Sequence, residues 1–439
     1  MKRIFLAAIL IGFIIQSAIA QDFDKAKLDN YFDALEANNK FMGSVAVSQK
    51  DRIVYARSVG FSDVENNVKA NENSKYRIGS ISKTFTSVLV LKAIEEKKLD
   101  INQTIVTFFP SIPNAGKITI KDLLSHRSGI HNFTNEEDYL TWNTQAKSEK
   151  EMVEIIAKNE SDFEPGSKAE YSNSNFVLLT YILEKTFKKS YAELLIEYIA
   201  RPVGLTNTYL GTKINVKNNE TKSYSYADNW KVEKETDISI PLGAGGIVST
   251  PSDLVKFSDA LFNGKLLNKE SLELMKTIKD NFGIGLFQIP FYDKIGYGHN
   301  GGIDGFSSIF SYFSDGDISY ALTSNGTNFN INDISIAVLS TVYNKPYDIP
   351  DFKMYEVRLE ELNQYLGVYS STQIPLKITI TKENITLIAQ ATGQASFPLE
   401  ATEKDKFKFT QGGISLEFNP TEKTMILKQG GGQFLFKKD

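Results

Sequence analysis

Apolar and polar residues alternate along GSVAVSQKDRIVYAR, Gly43 to Arg57, on either side of Lys50-Asp51, which predicts two strands joined by a tight turn. From Lys83 to Lys97 the pattern changes. Phe85, Val88, Leu89, Val90, Leu91 and Ile94 cover a broad helical face, as in a helix buried on most sides. Further helices are predicted at Ile120–Ser125, Lys150–Asn159, Ser174–Thr186, Tyr191–Ile199, Pro251–Phe262 and Lys269–Met275, and a solvated helix surface carries Asn30, Asn38 and Lys40. Short apolar runs bounded by turns then predict strands at Gly283–Ile289, Ser307–Phe313 and Ser319–Ser324. Strands, then helices, then strands describe an α/β (α+β) domain whose mainly antiparallel sheet carries a helical insertion.

Asn344 to Lys353, NKPYDIPDFK, has the prolines of a linker, placed at 346–354. Beyond it the texture is one of short alternating runs: Ile378/Ile380, Ile385/Leu387, Phe407/Phe409, Ile414/Leu416/Phe418, Met425/Leu427 and Phe434/Phe436. These predict a small all-β barrel or sandwich over residues 355–439, with Gly430, Gly431 and Gly432 in a turn. Such a module either packs on the larger domain or holds a small ligand, and barrels of this size are usually filled by their own side chains.

The 439 residues suit one large and one small domain, and 41% hydrophobic with 23% charged residues is a globular composition. The first twenty residues place Lys2 and Arg3 before an apolar run from Ile4 to Ile15 and end in Ala18-Ile19-Ala20, the layout of a secretory signal at 1–20 cleaved before Gln21. The run is short for a membrane span, so no integral span is expected after cleavage; an uncleaved anchor is the alternative. A formal charge of −4, with no basic block, argues against nucleic acid as a partner. Removing Lys2 and Arg3 takes away two positive charges, leaving −6. The absence of cysteine excludes disulfides, thiol nucleophiles and a lipid-modified N-terminal cysteine. The expected setting is periplasmic or secreted, in a bacterium.

Within YRIGSISKTF, Tyr76 to Phe85, a helix opening near Gly79 sets Ser80 and Lys83 on one face. The helix N-terminus favours a developing oxyanion, and burial near Phe85 and Val88 would depress the lysine pKa, allowing the amine to take the serine proton. The same spacing also suits a capping serine followed by an exposed lysine. Two further segments change the balance: Tyr171-Ser172-Asn173, in a loop immediately before a helix, and His299-Asn300-Gly301-Gly302, read as opening a strand. Together with Ser80-Ile81-Ser82-Lys83 they resemble the S-x-x-K, Y-x-N and K/H-x-G elements of the penicillin-recognising serine hydrolases. The flanks LLSHRSGI (Leu123–Ile130), RPVGLTNTYL (Arg201–Leu210) and PLGAGGIVSTPSDLVKF (Pro241–Phe257) resemble the class C β-lactamase and D,D-peptidase branch; the likeness spans residues 25–343.

This resemblance implies a β-lactamase/transpeptidase-like fold for 21–345, Ser80 as acylated nucleophile and Lys83 as its proton acceptor. Tyr171 acts with Lys83 as general base and acid, with a lysine-stabilised phenolate as one form. Asn173 binds the substrate amide and orients Lys83. His299 and Gly301 complete the substrate site from the facing strand, and the backbone N–H groups of Ser80 and Gly302 form the oxyanion hole. No cofactor or metal is implied. Where typical β-lactamases carry Lys-Thr-Gly, this chain has His299-Asn300-Gly301, which lacks a fixed charge for a β-lactam carboxylate. The expected activity is that of an exported hydrolase of D-amino-acid peptides, amides or esters with weak or no β-lactam hydrolysis. A weak penicillin- or peptide-binding protein and a true class C-like β-lactamase are the alternatives. The expected partner is a small-molecule or peptide substrate; the oligomeric state is left open.

His126 and His131 lack metal-ligand spacing, and His126 reads as a helix-end residue satisfying backbone groups. There is no G-x-S-x-G elbow for a Ser-His-Asp triad, and Asp304 reads as a turn stabiliser near the site.

Overall fold

A computed structural model describes residues 23–352, 355, 358–430 and 432–439; the signal at 1–20, part of the linker and Gly431 lie outside them. Two strands, β1 (Phe41–Gln49) and β2 (Arg52–Val59), form the expected hairpin, and Lys50 and Asp51 both take positive φ in its turn. Four later strands complete the sheet: β3 (Phe287–Phe291), β4 (Lys294–Ile303), β5 (Phe306–Phe313) and β6 (Ile318–Thr327). The order is β3-β4-β5-β6-β1-β2, antiparallel throughout, so the chain's first strands pair with its last.

Because side chains alternate across a strand, the central strands feed two cores. Val45, Val47, Ile309, Tyr320 and Leu322 face α1 (Lys25–Ala37) and the C-terminal helix Ile331–Val342. Ala46, Phe310 and Ala321 face the helical insertion. In the insertion, α2 (Ser82–Glu95) is buried on nearly every side, and α3 (Ile120–Leu124), α4 (Glu149–Ala157), α5 (Asn173–Phe187), α6 (Tyr191–Leu195), α7 (Pro251–Phe262) and α8 (Lys269–Lys276) lie close to their expected places. Ser148 and Ser190 cap α4 and α6 in capping boxes.

Two local expectations are corrected, and one helix is new. Residues 283–286 are not strand: Gly285 takes φ +62, and its missing Cβ lets Ser87 and the Lys83 carbonyl approach, so this stretch is a loop pressed against α2. His299 does not open a strand but lies in the second half of β4, whose glycines at 296, 298, 301 and 302 hide the alternation of its first half. Helix α9 (Ile331–Val342), capped by Asn330, is not anticipated by the sequence reading.

After the sheet, residues 346–352 have no regular structure, yet they dock. Lys27 Nζ donates to the Tyr347 carbonyl at 2.6 Å and lies 4.1 Å from that tyrosine's ring centroid, while Phe352 packs beside the α1 core. Eight antiparallel strands then close a barrel: β7 (Gly367–Ser370), β8 (Lys377–Glu383), β9 (Thr386–Ala391), β10 (Phe397–Glu403), β11 (Lys406–Phe409), β12 (Ile414–Asn419), β13 (Thr424–Gln429) and β14 (Gly432–Lys438). Tyr369 opposite Lys438 makes the closure, and the interior is filled by Ile378, Ile380, Leu387, Phe407, Met425 and Phe436. Ile385 departs from its expected inward place and is 72% exposed, since it follows the left-handed Asn384 in the turn. Among the described residues no helix is long and apolar enough to cross a membrane.

The helix that bears Lys83 is anchored by Phe85, whose ring stacks on Phe257 of α7 with centroids 3.7 Å apart. Phe85→Ala is expected to cost about 3–5 kcal/mol of unfolding free energy, read as a lowered urea midpoint; an unchanged midpoint would show that the stack bears no load.

Candidate active site

Ser80 lies in a single 3-10 turn, Gly79–Ile81, that leads into α2. The turn is clamped from two sides. The Ile78 N–H donates to the Ile247 carbonyl at 2.9 Å, and Ser308 Oγ of β5 donates to the Ile78 carbonyl at 2.8 Å. Glycine makes the second clamp possible: a methyl on Gly301 would sit 2.1 Å from the Ile78 oxygen and 3.0 Å from Ser80 N, and one on Gly79 2.7 Å from Gly302 N. The backbone around Ser80 and that around Gly302 therefore touch at the floor of one cleft of about 680 Å³, which both residues line.

Lys83 follows on the first turn of α2 with no exposed surface. Its Nζ lies 2.8 Å from Asn173 Oδ1, 2.6 Å from the Ala244 carbonyl and 3.0 Å from Ser80 Oγ. Burial holds the amine well below the ordinary lysine range. A neutral amine has two N–H groups and one lone pair. Asn173 Oδ1 and the Ala244 carbonyl can only accept, so they take the N–H groups and the lone pair faces the serine hydroxyl. On the other side, the Tyr171 hydroxyl donates to Ser80 Oγ at 2.7 Å. Burial raises the Tyr171 pKa above its ordinary value, so this environment favours the phenol over the phenolate form considered from the sequence.

Asn173 is the first residue of α5 rather than the last of a loop. Its Nδ2 donates to Thr134 Oγ1 at 3.1 Å and to Asn132 Oδ1 at 3.3 Å, which turns Oδ1 toward Lys83. His299 is buried on β4, its Nδ1 2.5 Å from the Asn300 carbonyl oxygen and its ring 4.5 Å from that of Phe287. Desolvation lowers its pKa to about 3, so it is neutral at pH 7. No hydrogen bond joins it to Ser80, Lys83 or Tyr171 among the described residues.

Sequence reasoning missed Ala244, Asn132 and Thr134 as partners. Asn132 and Thr134 sit in a polar loop with no distinguishing signal, whereas Ala244 lies in the flagged PLGAGGIVST segment. Also missed was the buried Arg77, which donates to Asp304 (3.1 Å), Glu235 (2.8 Å) and the Thr236 carbonyl (2.7 Å). Asp304 takes φ +51 in the β4–β5 turn and accepts from Thr236 Oγ1 at 2.6 Å, so beyond shaping its turn it ties the loop around residues 235–236 to the cleft. His131 pairs with Asp162 and Glu136 at the surface, and no group of acids and histidines able to hold a metal occurs among the described residues.

A two-core antiparallel sheet with a helical insertion, and a serine held between a lysine amine and a tyrosine hydroxyl, define a class of serine hydrolases. Residues 28–340 match the beta-lactamase family, and the chain belongs to it. It is 25% identical over 440 residues to penicillin-binding protein 4* of Bacillus subtilis, covering 92% of this chain and 97% of that one. It is 28% identical over 332 residues to teichoic acid D-alanine hydrolase of Staphylococcus aureus, covering 73% and 79%. The crystal structure of D-amino acid amidase from Ochrobactrum anthropi SV3 in complex with L-phenylalanine amide superimposes with TM-score 0.65 at 25% identity, covering 74% of this chain and 99% of that one.

The buried amine predicts a pH signature. In the unfolded chain Lys83 titrates near 10.4, and in the folded protein below that. Between the two values the unfolded state binds the extra proton, so stability rises with pH by up to about 1.4 kcal/mol per pH unit. Below the folded pKa and above the unfolded one the slope vanishes. Lys83→Met lacks this contribution, so wild type is expected to gain on the variant as pH rises toward about 10 in urea denaturation; parallel curves would contradict the lowered pKa of Lys83.

Proposed function

We propose that this protein is an exported hydrolase that forms an acyl-enzyme on Ser80 with D-amino-acid amides, esters or short peptides. The observation that carries the proposal is the simultaneous contact of Ser80 Oγ with Lys83 Nζ at 3.0 Å and the Tyr171 hydroxyl at 2.7 Å. Ser80 Oγ attacks the substrate carbonyl while its proton passes to the lone pair of Lys83. The N–H groups of Ser80 and Gly302 bind the oxyanion, and Asn173 holds the substrate amide. The leaving amine or alcohol takes a proton from the Tyr171 hydroxyl, which is replenished from the Lys83 ammonium. Water then attacks the ester, Lys83 accepts its proton, and the acid is released as Ser80 is protonated again. The net change is addition of water across one acyl bond.

The names of the relatives support the substrate class, since a D-alanine hydrolase and a D-amino acid amidase both act on D-amino acyl groups. A neutral His299 at the K/H-x-G position supports weak β-lactam turnover, because no fixed cation stands there for the carboxylate. The likeness to a penicillin-binding protein keeps β-lactam acylation without efficient hydrolysis as the second reading. The signal pattern at 1–20 supports export to the periplasm or beyond.

A panel of D-alanyl-p-nitroanilide, its L counterpart, p-nitrophenyl acetate, a D-Ala-D-Ala peptide and nitrocefin, run with Ser80→Ala alongside, tests the proposal. The expected result is turnover of D-alanyl or ester substrates above nitrocefin, with kcat lowered at least about 10³-fold in Ser80→Ala. Nitrocefin as the fastest substrate would overturn the argument from His299. Equal fluorophosphonate labelling of wild type and Ser80→Ala would remove the acyl-enzyme. Tyr171→Phe is expected to lower kcat about 10²–10⁴-fold.

A further inference from the structure

One buried imidazole packs directly on the reactive group without touching Ser80. His126 follows α3 with φ +56 and is 3% exposed. Its carbonyl accepts the Glu170 N–H at 2.9 Å, and its Nδ1 accepts the Ser172 N–H at 3.2 Å. These two anchors bracket Tyr171, whose ring lies 4.5 Å from the imidazole, centroid to centroid. Phe282 and Phe176 pack near the same imidazole, at 5.2 and 5.3 Å. Since Nδ1 must offer a lone pair to Ser172, the ring is neutral with its proton on Nε2.

We propose that His126 is a positioning residue for Tyr171: by accepting the Ser172 N–H at Nδ1 and the Glu170 N–H at its carbonyl, it sets the Tyr171 hydroxyl on Ser80. This inference rests on the hydrolase reading above. Displacement of a catalytic group by about 1 Å can cost 10²-fold in rate, whereas substrate affinity, set elsewhere in the cleft, should change little.

Two substitutions separate the roles. In His126→Asn, Oδ1 occupies the place of Nδ1 on Cγ and asparagine tolerates the left-handed backbone, so the acceptor is kept. In His126→Phe the ring is kept, but the Ser172 N–H loses its partner. The mature full-length proteins are compared for the rate of Ser80 acylation by a fluorophosphonate, for kcat and KM on the best substrate of the panel, and for the 13C resonance of the Tyr171 ring, assigned with Tyr171→Phe. His126→Phe is expected to acylate about 10²-fold more slowly at nearly unchanged KM, with the Tyr171 resonance displaced. His126→Asn should stay within about 10-fold of wild type with that resonance in place.

Wild-type acylation in His126→Phe, or an unmoved Tyr171 resonance, would overturn the proposal. So would a folded His126→Asn as slow as His126→Phe, and if His126→Phe does not fold, a 10²-fold loss in folded His126→Asn decides against it alone. A wild type that is never acylated would remove the hydrolase reading, while the tyrosine resonance would still decide the positioning role.

Discussion

The site is organised around the burial of one lysine amine. Lys83 has no exposed surface, and a charged ammonium there would bear a desolvation penalty that no carboxylate among the described residues offsets, since its neighbours are an amide oxygen, a peptide carbonyl, a serine hydroxyl and the ring of Tyr171. Burial therefore pulls the amine's pKa well down, and once the proton is lost the lone pair is aimed at Ser80. Each neighbour is held in turn. Asn173 is fixed by Asn132 and Thr134. Ala244 is carried on a short turn, Leu242–Gly245, whose Gly243 has no room for a Cβ between Thr86 of α2 and Thr180 of α5. Removing the side chain at 243 is thus what brings the carbonyl at 244 to the amine.

The sheet supplies the opposite wall. Strand β4 reaches the serine turn because its glycines let backbone meet backbone, so the N–H-bearing segments of Ser80 and Gly302 are set by main-chain packing more than by side chains. Such contacts are rigid, which suits groups intended to meet a developing charge without reorganising. Arg77 adds a second tie beneath the cleft, joining its own short strand to Asp304 on the β4–β5 turn and to Glu235 on the neighbouring loop. Both carboxylates pair with an arginine that is 2% exposed.

Much of this was legible in the chain. The helix over 83–97 and those at 251–262 and 269–275 announced themselves by their apolar patterning, and the barrel by paired inward residues such as Ile378 and Ile380. What failed to announce itself did so for identifiable reasons. Strand β4 is glycine-rich, so its alternation is faint; residues 283–286 are apolar because they press on α2 as a loop, and periodicity cannot tell that from a strand. The linker read as a spacer because of its prolines, yet Tyr347 and Phe352 anchor it to the α1 core.

By itself the sequence determined which groups are available: a serine and a lysine three residues apart, a Tyr-Ser-Asn segment and a histidine ahead of paired glycines, all encoded in local order because a helical turn and a strand are local structures. Only the tertiary structure decided how those groups are charged and aimed. The lowered pKa of the Lys83 amine, the protonated phenol of Tyr171 and the uncharged His299 arise from desolvation, which depends on what the rest of the chain packs around them. His126 shows the same division: as a residue it reads as the end of a helix, and its contact with Tyr171 exists only because segments 45 residues apart close on one another.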